Sequence, residues 1–149
     1  MENPSYWTNV KRLLIALVSC VCHALGGPNV RVDVDAQGDG ALLIMRAYRA
    51  CLRNTPGVVV VSAGQPADAL LQITSFIATI QGQEFGYVWA MVVIDPTTRA
   101  ELDGPEVVST GLTYQQIFRA AEDMVFNIGR DVFALLRNKT KTQGDRPAF

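Results

Sequence analysis

The chain has one histidine and three cysteines in 149 residues. That scarcity removes most metal-cluster and histidine-assisted chemistry before any motif is considered. Charged residues make up only 18% and the formal net charge is −1, which argues against binding nucleic acid by phosphate neutralisation. No apolar run reaches the ~20 residues needed to cross a bilayer as a helix. No phosphate-binding loop, dinucleotide fingerprint, Gly-x-Ser-x-Gly elbow or CxxC pair occurs, and there is no internal repeat. What the chain does have is 49% hydrophobic residues, enough for one core in a domain of this length.

The N-terminal segment has its own layout. Polar residues end in Lys11-Arg12, then Leu13-Leu14-Ile15-Ala16-Leu17-Val18 follows uncharged, and Gly26-Gly27-Pro28 breaks the run. A basic flank, a short apolar core and small residues at the exit are the layout of an export signal. Leu17-Val18-Ser19-Cys20 resembles the bacterial lipobox, which implies that Cys20 becomes the mature N-terminus and receives lipid. Val21 after it, where the pattern would place Asp for inner-membrane retention, implies transfer to the outer membrane. Two other readings stay open: signal cleavage after Ala24, and residues 5–25 as the first helix of the domain. The resulting organisation is signal peptide 1–19, tether 20–29, folded domain 30–137 and flexible tail 138–149.

Cys51 is the only cysteine in the folded region, on the apolar side of a helical pattern through residues 41, 44, 45, 48, 51 and 52. Pairing with Cys22 is open in an oxidising compartment. As a nucleophile Cys51 has no partner base, because the single histidine is His23 in the tether. Asp33-Val34-Asp35-Ala36-Gln37-Gly38-Asp39-Gly40 has the start of a calcium loop, but position twelve is Ile44 instead of a bidentate Glu. It reads better as a strand with Asp33 and Asp35 outward, then a turn with Asp39 near the N-cap of the next helix. No catalytic set, metal site or cofactor is expected. A hydrolase using Asp95 and Glu84 has no defined acid pair behind it.

The remaining pattern reads β-α-β-β-β-β-α. Val30–Asp35 alternates strictly, which predicts a half-buried strand. A helix runs from about Gly40 to Arg53, with Arg46, Arg49 and Arg53 along its polar side. That stripe is a solvated face or a contact for a partner or phospholipid. Val58–Val61 is all β-branched and reads as a mid-sheet strand buried on both faces. Two long strands follow as a hairpin, then an edge strand, Glu101–Ser109, whose charges and Pro105 discourage further pairing. Thr113-x-x-Gln116 is a capping box for a last helix to Arg137, with Ile117, Ala121, Met124, Ile128, Val132 and Leu135 on its inner stripe. The fold class is therefore α+β, a two-layer sandwich of a mainly antiparallel sheet with two helices on one face. In the strand from Tyr87 to Asp95 both sides are apolar. A second apolar face implies a partner, another copy, a lipid contact, or cover by the tether or tail. Tyr87, Trp89 and Met91 are the candidate partner-binding residues there, with Arg46, Arg49 and Arg53 on the helix.

Taken in order, several weaker motifs carry a resemblance. These are Pro56-Gly57 before the valine strand, Ala67-Asp68-Ala69-Leu70-Leu71-Gln72-Ile73, the strand ending in Asp95-Pro96-Thr97-Thr98-Arg99, and a long last helix. Over residues 30–137 this resembles the domain shared by the N-terminal part of the Tol translocation β-propeller protein, curli-secretion and exopolysaccharide-export lipoproteins, and lipoprotein activators of penicillin-binding peptidoglycan synthases. The resemblance implies a non-enzymatic, lipid-anchored module on the periplasmic face of the outer membrane, binding other envelope proteins or further copies of itself. The alternative is a periplasmic binding protein for a small apolar or glycan ligand, using Tyr87 and Trp89.

Overall fold

The computed structural model describes residues 29–144. The proposed signal, Cys20, Cys22, His23 and the alternative cleavage point at Ala24 all lie outside the described residues. Five strands form one sheet: β1 (Val30–Gly38), β2 (Val58–Val60), β3 (Ala69–Ile80), β4 (Gln83–Ile94) and β5 (Glu101–Thr110). Helix α1 (Ala41–Arg53) joins β1 to β2, and α2 (Tyr114–Ile128) follows β5. The element order is the one the hydrophobic pattern predicts, and the fold is α+β.

The strand order is β2-β1-β3-β4-β5. β3, β4 and β5 form the expected antiparallel meander. β1 runs parallel to both its neighbours, so the sheet is mixed. The β1–α1–β2 crossover places β2 at the sheet edge, not in the middle as its valine run suggests. β-branching reports a fit to a pleated surface and says nothing of how many faces are covered. Val58 and Val60 pack against the core, whereas Val59 is exposed.

Alternation decides what lies inside. Val32 and Val34 of β1, Leu71 and Ile73 of β3, and Trp89, Met91 and Val93 of β4 point to one side. There they meet Ile44, Tyr48 and Leu52 of α1, and Ile117, Ala121 and Ile128 of α2. The helices therefore cover one face of the sheet and leave the other open.

Trp89 is at the centre of this core. Its indole Nε1–H donates to the Tyr48 hydroxyl at 3.0 Å, and the two rings meet edge to face with centroids 6.3 Å apart. The bond satisfies a donor that burial would otherwise strand. Burial pushes the Tyr48 phenol far above its ordinary range, despite the opposing effect of that hydrogen bond. Ser75, the buried polar residue beside this core, is also satisfied: its hydroxyl donates toward the Asp39 carbonyl at 2.7 Å and the Gln37 carbonyl at 3.1 Å.

The turn into α1 departs from expectation. Asp39 does not cap α1. The N-cap is Gly40, at a φ of 67°, with no side-chain cap bond. The Asp39 carboxylate instead accepts from the Ile77 backbone N–H at 3.0 Å, which ties the turn to β3. A Cβ on Gly40 would run into the Tyr87 ring. The β3–β4 hairpin turns through Gln81 and Gly82, both with positive φ, as a two-residue turn that matches strand twist requires.

At the far end α2 opens on Thr113 with the predicted capping box: the Gln116 backbone N–H donates to the Thr113 hydroxyl, and the Thr113 backbone N–H donates to the Gln116 side chain. The helix does not run straight on. Gly129–Phe133 is a π-turn, and α3 (Ala134–Gly144) continues beyond it. A π-turn adds a residue to the helical repeat. The inner stripe therefore passes from Ile128 and Val132 to Phe133 and Leu136, and Leu135 is rotated outward, 62% exposed. The helix also outlasts its expected end at Arg137. Residues 138–144 are helical where a flexible tail was expected, since no glycine or proline interrupts them before Gly144.

β4 and β5 approach closely at Gly86, where a Cβ would overlap the Thr110 carbonyl. Gly86→Ala is expected to destabilise the full chain by about 1–3 kcal/mol, read as a lower denaturant midpoint. An unchanged midpoint would contradict that approach.

Candidate docking surfaces

The structure separates the residues singled out in the sequence. Trp89 is 0% exposed and Met91 is 2% exposed. Both belong to the helix-covered side, so neither forms a docking surface, and Trp89 cannot stack on a ligand. The period of two in β4 reveals two apolar faces but not which one the helices take. Tyr87 is half-buried over the start of α1. Of the arginines, Arg46 and Arg53 are exposed. Arg49 is turned inward over β1, where its guanidinium lies 3.3 Å from the Val34 carbonyl and 3.5 Å from the Asp33 carboxylate. β2 pairs only with Val30–Val32, and Arg49 covers the strand edge just beyond that pairing. Blunting an open edge with a cation is a known device against stray pairing.

The carboxylates named for hydrolysis are not brought together. Asp95 accepts from the backbone N–H groups of Thr97 at 2.8 Å and Thr98 at 3.0 Å, and these bonds hold its carboxyl below the ordinary range. Glu84 lies at the opposite end of β4, about 36 Å away along an extended strand. Among the described residues, no cluster of three or more His, Cys, Asp or Glu is placed to hold a metal ion. No helix among them is long and apolar enough to cross a membrane.

Two surfaces stand out among the described residues. The first is the open sheet face. Its register builds rows across three strands: Phe76 opposite Val88 and Ser109, and Thr74 opposite Ala90 and Val107. Phe76 is 54% exposed and Val107 is 73% exposed. Toward β1 the face becomes polar, with Asp35, Gln72 and Thr74 around a shallow cavity of about 200 Å³ that also touches Ala90, Val92 and Pro105. At its margin, on the outward side of β1, Arg31 and Asp68 form an ion pair at 3.3 Å. The surface thus has an apolar centre and a charged rim, the anatomy of a protein interface.

The second surface is a groove of about 530 Å³ on the helical side, between α1 and α2. Phe118, Val125 and Phe126 line it along α2, and Cys51 and Pro56 line it from α1 and the turn beyond. Arg137 borders it near Pro56, its guanidinium donating to the Pro56 carbonyl at 2.6 Å. The Cys51 thiol points to the Phe118 carbonyl at 3.8 Å. Burial pushes this thiol up to about 11, with the Glu122 carboxylate adding to the shift. It is therefore protonated at neutral pH, the reverse of the activated state a nucleophile needs. Sequence reasoning missed the groove because the π-turn that borders it shows only as a one-residue shift of the apolar stripe, from Val132 to Phe133.

No protein-family model and no curated protein matches the sequence. Solved structures do resemble the fold. The chain superposes on protein XCC0632 from Xanthomonas campestris, described under the family model DUF330, with a TM-score of 0.52 at 6% identity, covering 78% of this chain and 89% of that one. A PelC dodecamer from Paraburkholderia phytofirmans matches with a TM-score of 0.47 at 12% identity, over 67% of this chain and 88% of that one. TolB from Acinetobacter baumannii matches with a TM-score of 0.46 at 13% identity, over 66% of this chain and 27% of that one. The Xanthomonas protein shares the fold, at an identity where the likeness is one of fold alone.

Proposed function

We propose that the chain is a lipid-anchored envelope protein whose folded domain is a docking module, working without catalysis on the periplasmic face of the outer membrane. Cys20 would carry the lipid and Val21 would direct sorting outward. The domain would meet other envelope proteins, further copies of this chain among them, in an assembly or secretion system.

What carries the reading is the open sheet face: an apolar centre of Phe76, Ala90 and Val107 that no helix covers. Large solvent-exposed apolar side chains in adjoining rows are characteristic of interaction surfaces. The export layout at residues 1–20 supports the location, and the neutral Cys51 thiol and separated carboxylates support a non-catalytic role. The alternative, a binding protein for a small apolar or glycan ligand, loses Trp89 as a stacking platform. The groove between α1 and α2, the more apolar of two similarly large cavities among the described residues, is the one it would use.

The test is sedimentation of the membrane-extracted chain beside a Phe76→Asp/Val107→Asp variant. The expected result is an assembly heavier than one copy for the natural chain and a single copy for the variant. Thermal stability should stay within about 0.5 kcal/mol, as exposed sites allow. A single copy in both, with a thermal midpoint that rises on adding a glycan or apolar ligand, favours the alternative.

A further inference from the structure

We infer that the groove between α1 and α2 is the seat of this chain's own N-terminal tether, residues 21–28, and that seating it fixes which way the domain faces.

The groove has an apolar wall with nothing against it. Phe126 is 72% exposed beside Phe118, Val125 and Cys51, with Glu122 and Arg130 among the polar residues that complete the lining. An aromatic left in water at the rim of an apolar groove gains by being covered.

The chain enters the domain at the end of this groove. The Val30 backbone N–H donates to the Gly57 carbonyl at 2.9 Å. Pro56, the next residue back along the turn, is part of the groove wall, and Arg137 is bound to it. Asn29 therefore lies one residue from the Gly57 contact, in a neighbouring hollow with Leu136, Lys139 and Thr140, and the residues before it start from there, within reach of the Pro56 end of the groove.

The composition of those residues fits. Val21, Ala24 and Leu25 are apolar, and the segment contains no Asp, Glu, Lys or Arg. Gly26-Gly27-Pro28 supplies a bend between this apolar stretch and β1. At most ~3.6 Å per residue, Leu25 reaches about 14 Å from Asn29, and Val21 about 29 Å. Both ranges cover a groove that begins at the neighbouring turn.

The consequence concerns orientation. A tether lying in the groove brings position 20 to the helical layer. The helices then face whatever holds the N-terminus, and the open sheet face points away from it. This inference goes beyond the docking reading and does not depend on Cys20 carrying lipid.

The experiment places p-benzoylphenylalanine at Phe126 in the full chain, in native membranes, followed by ultraviolet irradiation, digestion and peptide mapping. Substitution at so exposed a residue leaves the core untouched. The expected product is an intramolecular adduct joining position 126 to a peptide within residues 20–30. A Val21→Asp/Leu25→Asp chain should lose that adduct, and amide exchange over Cys51–Thr55 should quicken about tenfold. Adducts to a second copy, to another protein or to lipid overturn the inference, as does quenching by water alone. Whether position 20 is acylated is read from the same digest, so failure of the lipid anchor and failure of the groove seating are told apart.

Discussion

Trp89→Ala lowers the thermal midpoint of the full chain by about 12–20 °C. The effect follows from what the indole does. Trp89 is fully buried among residues of β1, β3, α1 and α2, and removing an aromatic side chain from such a site costs about 3–5 kcal/mol. For a domain of this size, 1 kcal/mol moves the midpoint by roughly 4 °C. The substitution also takes the indole donor from the Tyr48 hydroxyl. Tyr48→Phe separates the two contributions, because it keeps the ring and strands only the indole N–H. Its expected cost is smaller, about 1–3 kcal/mol. Thermal unfolding of both variants checks the ordering. A Trp89→Ala midpoint equal to that of the natural chain would mean that β4 presents its other face to the helices.

Cys20→Ala abolishes incorporation of labelled palmitate, whereas Cys22→Ala retains it. Under the proposed anchor, Cys20 is the only attachment point, so loss of its thiol removes every acyl chain at once. The energetic effect is large: each buried methylene contributes ~0.8 kcal/mol, and two chains hold a protein where a single chain detaches. Globomycin, which blocks signal cleavage of lipidated precursors, should make the natural chain accumulate with residues 1–19 still attached. Equal labelling of both cysteine variants would place the lipid elsewhere or nowhere.

The parts of the fold that were legible in the sequence are those set by local chemistry. Thr113 and Gln116 specify a helix start because their side chains and backbone groups satisfy one another within a single turn. The alternation Val30-Val32-Val34 sets one face of β1 because a strand has period two. Other features depend on contacts distant in sequence, and these the pattern does not contain. Val58–Val61 looked central, yet β2 pairs with β1 alone. Residue type records that a strand fits a pleated surface, while its neighbours are set by the crossover through α1. Trp89 and Met91 looked like a docking face, yet β4 is apolar on both sides and only the packing of Tyr48 and the helices chooses between them. Arg49 read as part of a solvated stripe. Its contact with Val34 follows from the shortness of β2, which no property of α1 discloses.

The same division applies to function. The N-terminal layout is local and lies outside the described residues, so the anchor is a sequence argument. The open sheet face and the helical groove are products of three-dimensional packing, and the proposed docking therefore rests on the exposed Phe76, Ala90 and Val107, since Trp89 and Met91 are buried. Tyr87 sits between the two, half-buried at the start of α1, and Arg46 and Arg53 remain on the exposed side of the helical layer.

The most direct measurement is the intact mass of the chain purified from the cells that naturally make it. The account predicts a polypeptide that begins at Cys20 and is heavier than its residues by a diacylglycerol and an amide-linked acyl chain. An unmodified polypeptide beginning at Met1 would contradict it.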